Sequence, residues 1–516
     1  MTRVTPLIIS DHAPSRRPPA RLVLTPERFA RLIALAALLF GCWAAWAYHR
    51  AGLTLSHYDA KAHLVVARRV VDSITPGWRQ IGAVWLPLPH LLDLLPVQVD
   101  AFYRTGASAV AMSVVAFGLA VYATARLILY LTGSRVGAVA GAAVLALNPD
   151  VLYLQATPMT EALLFGLTLL AIALLTEWVD GRQPTGAVGV TLAAACLTRY
   201  EAWPVTVAAL ALATLARWRR GETPGRAVGQ GMRLGLYPGL AGLAFLAQSR
   251  LTVGQWFVTG GFWVPDNQDT GHPLNAVASI WWGTGMITGY GVLLLGAAGA
   301  AATLAIALAS RSRAAALVPL ALAASGALPW YAFVLGHPFR IRYMVALAPS
   351  VAIGAGIGAG LVRRWSLPAA ALVLAAVAIE TRPIDFRAPM VVEAQLDSAN
   401  GVGRRVVTAY LSRHYDGEKI MASMASLAHY MQELSSARFA IRDFVHEGNG
   451  DIWLAALERP RAHVGWILVE ERAEGGDRLA NLTREDPRVL AGFTRVAEGG
   501  GVALYRRNGQ PAVPGP

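Results

Sequence analysis

Eleven stretches of this chain are long, apolar and nearly free of charge, and they decide most of what it can fold into: 29–48, 105–125, 136–149, 162–176, 185–198, 202–216, 234–247, 286–310, 314–336, 343–362 and 365–379. A membrane helix needs about 20 mostly apolar residues, somewhat fewer inside a bundle, so each stretch is expected to be a transmembrane helix. Across the 516 residues, 55% are hydrophobic and only 15% charged, too little charge for an ordinary soluble surface. The segment 185–216 is broken only by Arg199, Tyr200 and Glu201, and reads as a hairpin of two spans. The expected class is an all-α polytopic membrane bundle of about eleven helices.

Arginine sets the orientation. With the N-terminus in the cytoplasm, every short inward segment carries arginine, from Arg16 and Arg17 through Arg126, Arg135, Arg182, Arg217, Arg220, Arg311 and Arg313 to Arg363 and Arg364, as short cytoplasmic loops do. A single span over 185–216 would turn the cluster from Arg217 to Arg233 outward, so the bias favours the hairpin. An odd number of spans puts the C-terminus outside. The net charge of +13 raises nucleic acid as a partner, but its placement removes it. On this topology 18 bases and five acids face the cytoplasm, the outer parts of the membrane region hold ten of each, and the tail holds 17 of each. Insertion accounts for the whole excess, and the partner implied is the lipid bilayer. Only Lys61 and Lys419 are lysines, an arginine bias that suggests a high-GC bacterial origin and hence a plasma membrane.

Cys42 and Cys196 both lie in apolar runs, which leaves no basis for a disulfide framework, a Cys-based zinc site or a Cys nucleophile. Leu39 to Cys42 resembles a lipoprotein cleavage box, but the apolar run continues past it and cleavage would discard the first helix. The expected organisation is a cytoplasmic tail over 1–28, a membrane region over 29–380 with long outer loops at 49–104 and 249–285, and a soluble α/β or α+β domain outside over 381–516. In that domain Val464–Val469 and Val502–Tyr505 read as strands, and 400–413 and 424–434 as helices.

Ionisable residues beside membrane spans are costly and therefore suspect, and here they gather at the outer ends. The first outer loop carries His57, Tyr58, Asp59, Lys61 and His63, then Trp85 and His90. Asp59 opens a helix-like stretch, where aspartate is also an ordinary N-cap. Asp59 with His57 and His63 has the ligand types for a divalent cation, although the six-residue spacing does not place both histidines on one helix face. Glu161 begins a span, where a negative charge also suits the helix dipole. Arg199 and Glu201 could simply close a hairpin with an ion pair. Trp263 and Asp266, among the aromatic and polar residues of 249–285, suit either interfacial anchoring or a sugar ligand. Arg340 and Arg342 enter a span from outside, where guanidinium groups either snorkel to headgroups or match phosphate oxygens in bidentate fashion. Taken together, these residues would hold an anionic group at the outer face beside a general base.

Several of the same residues carry a resemblance. Tyr58 and Asp59 follow the first span, the segment Trp85 to Leu92 is similar to a juxtamembrane Pro-Pro-Leu motif, Leu147, Asn148 and Pro149 precede Thr160 and Glu161, and Leu197, Thr198 and Arg199 precede Arg342, Tyr343 and Pro349. Over roughly 29–362 the chain resembles the C-type (GT-C) glycosyltransferases of bacteria, in the superfamily of protein O-mannosyltransferases and lipid A aminoarabinose transferases. It departs from them where Ala60 follows Asp59, since many relatives have paired acids there. The resemblance implies a polyprenyl-phosphate sugar donor and an acceptor that is a lipid, glycan or protein. It implies Asp59 as general base with Glu161 as second carboxylate, and Arg340 and Arg342, with Lys61 or Arg199, on the donor phosphate. Tyr58, His90, Trp263 and Asp266 would contact sugar or acceptor. The competing class is a transporter or lipid-sugar flippase, whose sites usually sit near the midplane, often between inverted repeats.

Overall fold

The computed structural model describes residues 24–258, 267–472 and 477–509. Helices cover most of each of the eleven apolar runs, but 105–125 is broken at Gly106, 136–149 at Leu147–Asn148 and 286–310 at Gly289. In order these are α1 (Pro26–Arg50), then α2 (Tyr58–Arg68) and α3 (Leu88–Asp93) in the first outer loop, followed by α4 (Ala107–Thr132), α5 (Arg135–Ala146), α6 (Pro149–Gln155), α7 (Glu161–Val179), α8 (Thr185–Cys196), α9 (Ala202–Arg219), α10 (Pro224–Val253), α11 (Pro273–Thr288) and α12 (Tyr290–Ala309). A 3-10 stretch, Arg311–Gly326, leads into α13 (Ala327–Val334), and a second, Ile341–Leu347, into α14 (Ala348–Leu361) and α15 (Ser366–Glu380). The chain is a multi-pass membrane protein. Among the described residues six helical segments are long and apolar enough to cross a bilayer unaided, or seven if α5 and α6, bent by 66° at Leu147–Asn148, make one broken span. The expected eleven crossings are therefore not all individually long enough. The reason is local: Arg199 to Glu201 cut 185–216 into two shorter helices, as the hairpin reading requires, and arginines lengthen α10 with polar turns.

Small residues let the spans approach closely, as bilayer interfaces favour. Helices α12 and α14 pack through Gly296 and Gly299 against Gly354 and Gly358, and a Cβ on Gly299 would collide with the Gly354 carbonyl. Gly354→Leu is expected to lose at least about 1–3 kcal/mol through overpacking, visible as loss of the monodisperse gel-filtration peak at lower temperature than wild type.

The last part of the chain folds as α16 (Pro389–His414), α17 (Leu427–Leu434) and further short helices around a five-stranded sheet: β1 (Ile420–Ala422), β2 (Phe444–Val445), β3 (Trp466–Glu470), β4 (Phe493–Gly499) and β5 (Val502–Arg507). The order is β2-β1-β3-β5-β4, with the first three parallel and β5 antiparallel to both β3 and β4. Both faces of the sheet are covered, as parallel strands require. One face packs Ile467, Val469 and Met421 against Trp453 and Leu479. The other packs Leu468 and Trp466 into a core shared with Leu64, Val65 and Ala67 of α2. Residues on both sides of position 381 thus close one core. The join is polar as well: Asp150 Oδ1 accepts from Met390 N at 2.8 Å, and Asp72 accepts from Ile441 N at 3.1 Å. This arrangement fixes α2 between the spans and the sheet.

Candidate active site

Helix α2 is short, with Ala60, Lys61, Ala62, His63 and Leu64 all buried, and its 3.6-residue period sends different side chains to different neighbours. Asp59 and His63, one turn apart, face the ends of the spans at which Glu161, Arg199 and Arg342 lie. Tyr58 and Lys61 face the sheet domain. Its start is capped by His57, whose Nδ1 accepts from Asp59 N at 3.1 Å.

Three separate turns at one end of the spans converge beside Asp59. Arg342, from the 3-10 turn that enters α14, donates from Nη1 to Asp59 Oδ2 at 2.5 Å and places Nε 3.5 Å from Glu161 Oε1. Glu161 lies at the start of α7, with 3.0 Å between Oε1 and Arg199 Nη1. Arg199, at the hairpin between α8 and α9, also donates from Nη2 to Glu201 at 2.7 Å and from Nη1 to Thr160 Oγ1 at 3.1 Å. Asp59, Arg342, Glu161, Arg199 and Glu201 form one ladder of alternating charge. Neither oxygen of Glu161 receives a well-aligned hydrogen bond although two guanidinium groups flank it. Burial would push the Asp59 carboxyl up, but Arg342, with His57 and His63 adding, holds it well below the usual carboxylate range.

Above the ladder is a cavity of about 240 Å³. Its walls include Arg199, Arg342, Thr160 and Glu201, with Trp85, Tyr200 and Tyr343 as aromatic faces and His63 and His90 at one side. Asp59 and Glu161 stand behind the arginines and not on the wall. An anion entering the cavity would meet the two guanidinium groups and compete with the carboxylates for them.

Other residues singled out in the sequence lie elsewhere. The Tyr58 hydroxyl donates to Ala425 O at 2.7 Å and its backbone N to Asp397 at 2.9 Å, so it faces the sheet domain. Lys61 is buried there too, among Arg404, Asp397, Glu433 and Glu470, and burial together with Arg404 pushes its ammonium down to about 8. Between that value and the ordinary lysine range the unfolded chain holds a proton that the folded chain lacks, so stability rises with pH there. Lys61→Met is expected to raise the thermal unfolding temperature at pH 7 and to flatten its dependence between pH 8 and 10. Arg340 is half-buried and acts electrostatically on Glu393, off the cavity wall. His90 reaches the cavity, but both its ring nitrogens are engaged. His57 Nε2 lies 3.3 Å from Glu393 Oε1 while His63 turns to His90. Among the described residues no group of three or more His, Cys, Asp or Glu is arranged to hold a metal. Trp263 and Asp266 lie outside the described residues.

Sequence reasoning missed Glu393 and Asp397, which reach α2 from α16. Their spacing of four after Pro389, on one helix face, was the available signal. For Glu201 sequence reasoning offered only a hairpin ion pair, whereas Arg199, which the resemblance placed on the donor phosphate, also bridges Glu161, Glu201 and Thr160.

No protein-family model matches the chain, and no curated protein matches it by sequence. Solved structures share its fold, two of them crystal structures of one protein. Crystal structures of ArnT from Cupriavidus metallidurans match it at 11% identity: bound to undecaprenyl phosphate, with a TM-score of 0.57 over 93% of this chain and 99% of that one, and in the apo state, with a TM-score of 0.53 over 86% and 92%. The chain has the GT-C fold of ArnT, which is the fold its motifs pointed to.

Proposed function

We propose that this protein is a membrane glycosyltransferase that moves a sugar from a polyprenyl-phosphate-linked donor to an acceptor on the extracytoplasmic face, by an inverting single displacement. The observation that carries the reading is the pair of guanidinium groups, Arg199 and Arg342, on the wall of an outer cavity with Asp59 directly behind. The donor phosphate takes Arg342 as its partner, which frees the Asp59 carboxylate. The acceptor hydroxyl oxygen bonds to the anomeric carbon as the bond from that carbon to the phosphate oxygen breaks. The hydroxyl proton passes to Asp59, and the arginines hold the charge that develops on the departing polyprenyl phosphate. Glu161 keeps both arginines in place. An apolar cavity of about 400 Å³ among α11, α12 and α14 suits an isoprenoid tail. Residues 29–380 form the bilayer part, residues 381–516 stand outside, and the N-terminus is cytoplasmic in the bacterial plasma membrane.

Incubation of the purified protein in nanodiscs with a panel of undecaprenyl-phosphate sugars tests this. Transfer releases undecaprenyl phosphate and a glycosylated acceptor. A transporter or flippase would return every lipid-linked sugar intact, and that result across the panel would overturn the reading.

A further inference from the structure

The histidine pair beside the cavity has a fixed proton arrangement. His90 Nδ1 lies 3.2 Å from Leu86 O, and a carbonyl can only accept, so His90 carries its proton on Nδ1. His90 Nε2 then has a lone pair, which meets His63 Nδ1 at 3.0 Å, so His63 must carry its own proton on Nδ1. A second proton on either ring is opposed by its surroundings. Burial pushes His63 down to about 3, with Arg199, Arg342 and His57 adding to it and Asp59 opposing. Burial, with His63 and Arg69, lowers His90 as well. The two nitrogens of an imidazole point in nearly opposite directions, so His63 Nε2 points away from His90. No hydrogen bond to that atom is formed among the described residues, although only 6% of the residue is exposed.

We propose that His63 is a specificity-determining residue of this site: held in its Nδ1–H form by His90, it turns an unprotonated Nε2 to the cavity and accepts a hydrogen bond from a sugar hydroxyl next to the reacting centre. A neutral Nε2 can only accept, so its ligand must bring a proton donor, and a buried acceptor left unmet is costly. The wall beside it, with Trp85 at a ring-centroid distance of 4.3 Å and Tyr200 and Tyr343 further round, suits the faces of a sugar ring. Asp59, one turn earlier on the same helix face, takes the proton of the attacking hydroxyl, which leaves His63 to read a neighbouring one. The inference rests on the glycosyl-transfer reading and adds the requirement for a free hydroxyl at this position.

Two measurements test it. In nanodiscs with 15N-labelled histidine, the His63 resonances, assigned by their loss in His63→Gln, should report a protonated Nδ1 and a bare Nε2 from pH 7 to pH 5. An Nε2–H form would overturn the proposal whatever the protein transfers. With an undecaprenyl-phosphate sugar that turns over, His63→Phe should lower kcat/KM by about tenfold to a hundredfold, mostly through KM, and His63→Gln, which keeps an acceptor oxygen, should recover part of it. A deoxy analogue of the sugar lacking the hydroxyl should lose as much with wild type and nothing more with His63→Phe. Unchanged kcat/KM in His63→Phe overturns the hydroxyl contact while leaving transfer itself intact. Absence of transfer from the whole panel, with Asp59→Asn and wild type alike, counts against the transfer reading and with it this sugar contact.

Discussion

Asp59→Asn is expected to cut transfer by about 10²–10⁴-fold, the range a positioned general base supplies, while undecaprenyl phosphate binds at least as tightly as it does to wild type. The two halves follow from one contact. The Asp59 carboxylate pairs with Arg342 at 2.5 Å, so a phosphate that takes this arginine must displace it. An asparagine holds the guanidinium less strongly and leaves it more available to the phosphate. Simple loss of folding would abolish both properties together. Transfer measured by release of undecaprenyl phosphate, with binding measured on the same preparation, therefore separates a chemical role for Asp59 from a structural one. Full activity in Asp59→Asn would remove it from the reaction.

The second large effect is at Arg342. Arg342→Ala should weaken undecaprenyl phosphate binding by about tenfold to 150-fold, the value of hydrogen bonds to a charged group, and Arg342→Lys should restore only part because a point charge lacks the bidentate fork. Arg363→Ala, at the opposite end of α14, should bind as wild type does. The same substitution predicts a change in pH dependence. In wild type free of donor the Asp59 carboxyl is held well below its usual range, chiefly by Arg342 against the effect of burial, so Asp59 adds no acid limb to kcat/KM between pH 5 and 8. A depressed carboxyl contributes stability above its unfolded pKa and loses it as pH falls through the folded value. Without Arg342 the depression goes, burial dominates, and an acid limb should move up into the measured range, with stability at neutral pH reduced. Equal binding by Arg342→Ala and Arg363→Ala would contradict a phosphate role for the outer arginine.

The membrane part of the fold was legible because its cause is local: an apolar run must satisfy its backbone within itself, and a helix does so. The break at Arg199 to Glu201 was visible for the same reason. The meeting of Asp59, Glu161 and Arg342 followed from the outer ends of spans sharing one face. What was hidden depended on side-chain direction or on contacts far apart in the chain. Tyr58 and Lys61 lie close to Asp59 in sequence, yet the helical period turns both to the sheet domain, Tyr58 against the core shared with Leu468 and Trp466 and Lys61 among Arg404, Asp397, Glu433 and Glu470. His63 and His90 meet only because the loop between them folds back. Glu393 reaches His57 because α16 returns from the far end of the chain to lie against the ends of the spans beside α2, and no apolar pattern announces that. The strands near 464–469 and 502–505 were found by alternation, but their parallel and antiparallel pairing was not, since it depends on which edges the helices leave open.

The central claim is that donor phosphate binds in the outer cavity and takes Arg342 from Asp59. A cryo-electron microscopy structure of the protein with undecaprenyl phosphate tests it most directly. The predicted result places the phosphate within hydrogen-bond reach of Arg199 and Arg342, with Asp59 no longer bonded to Arg342. A phosphate seated beside Arg363 and Arg364, with the Asp59–Arg342 pair intact, would contradict it.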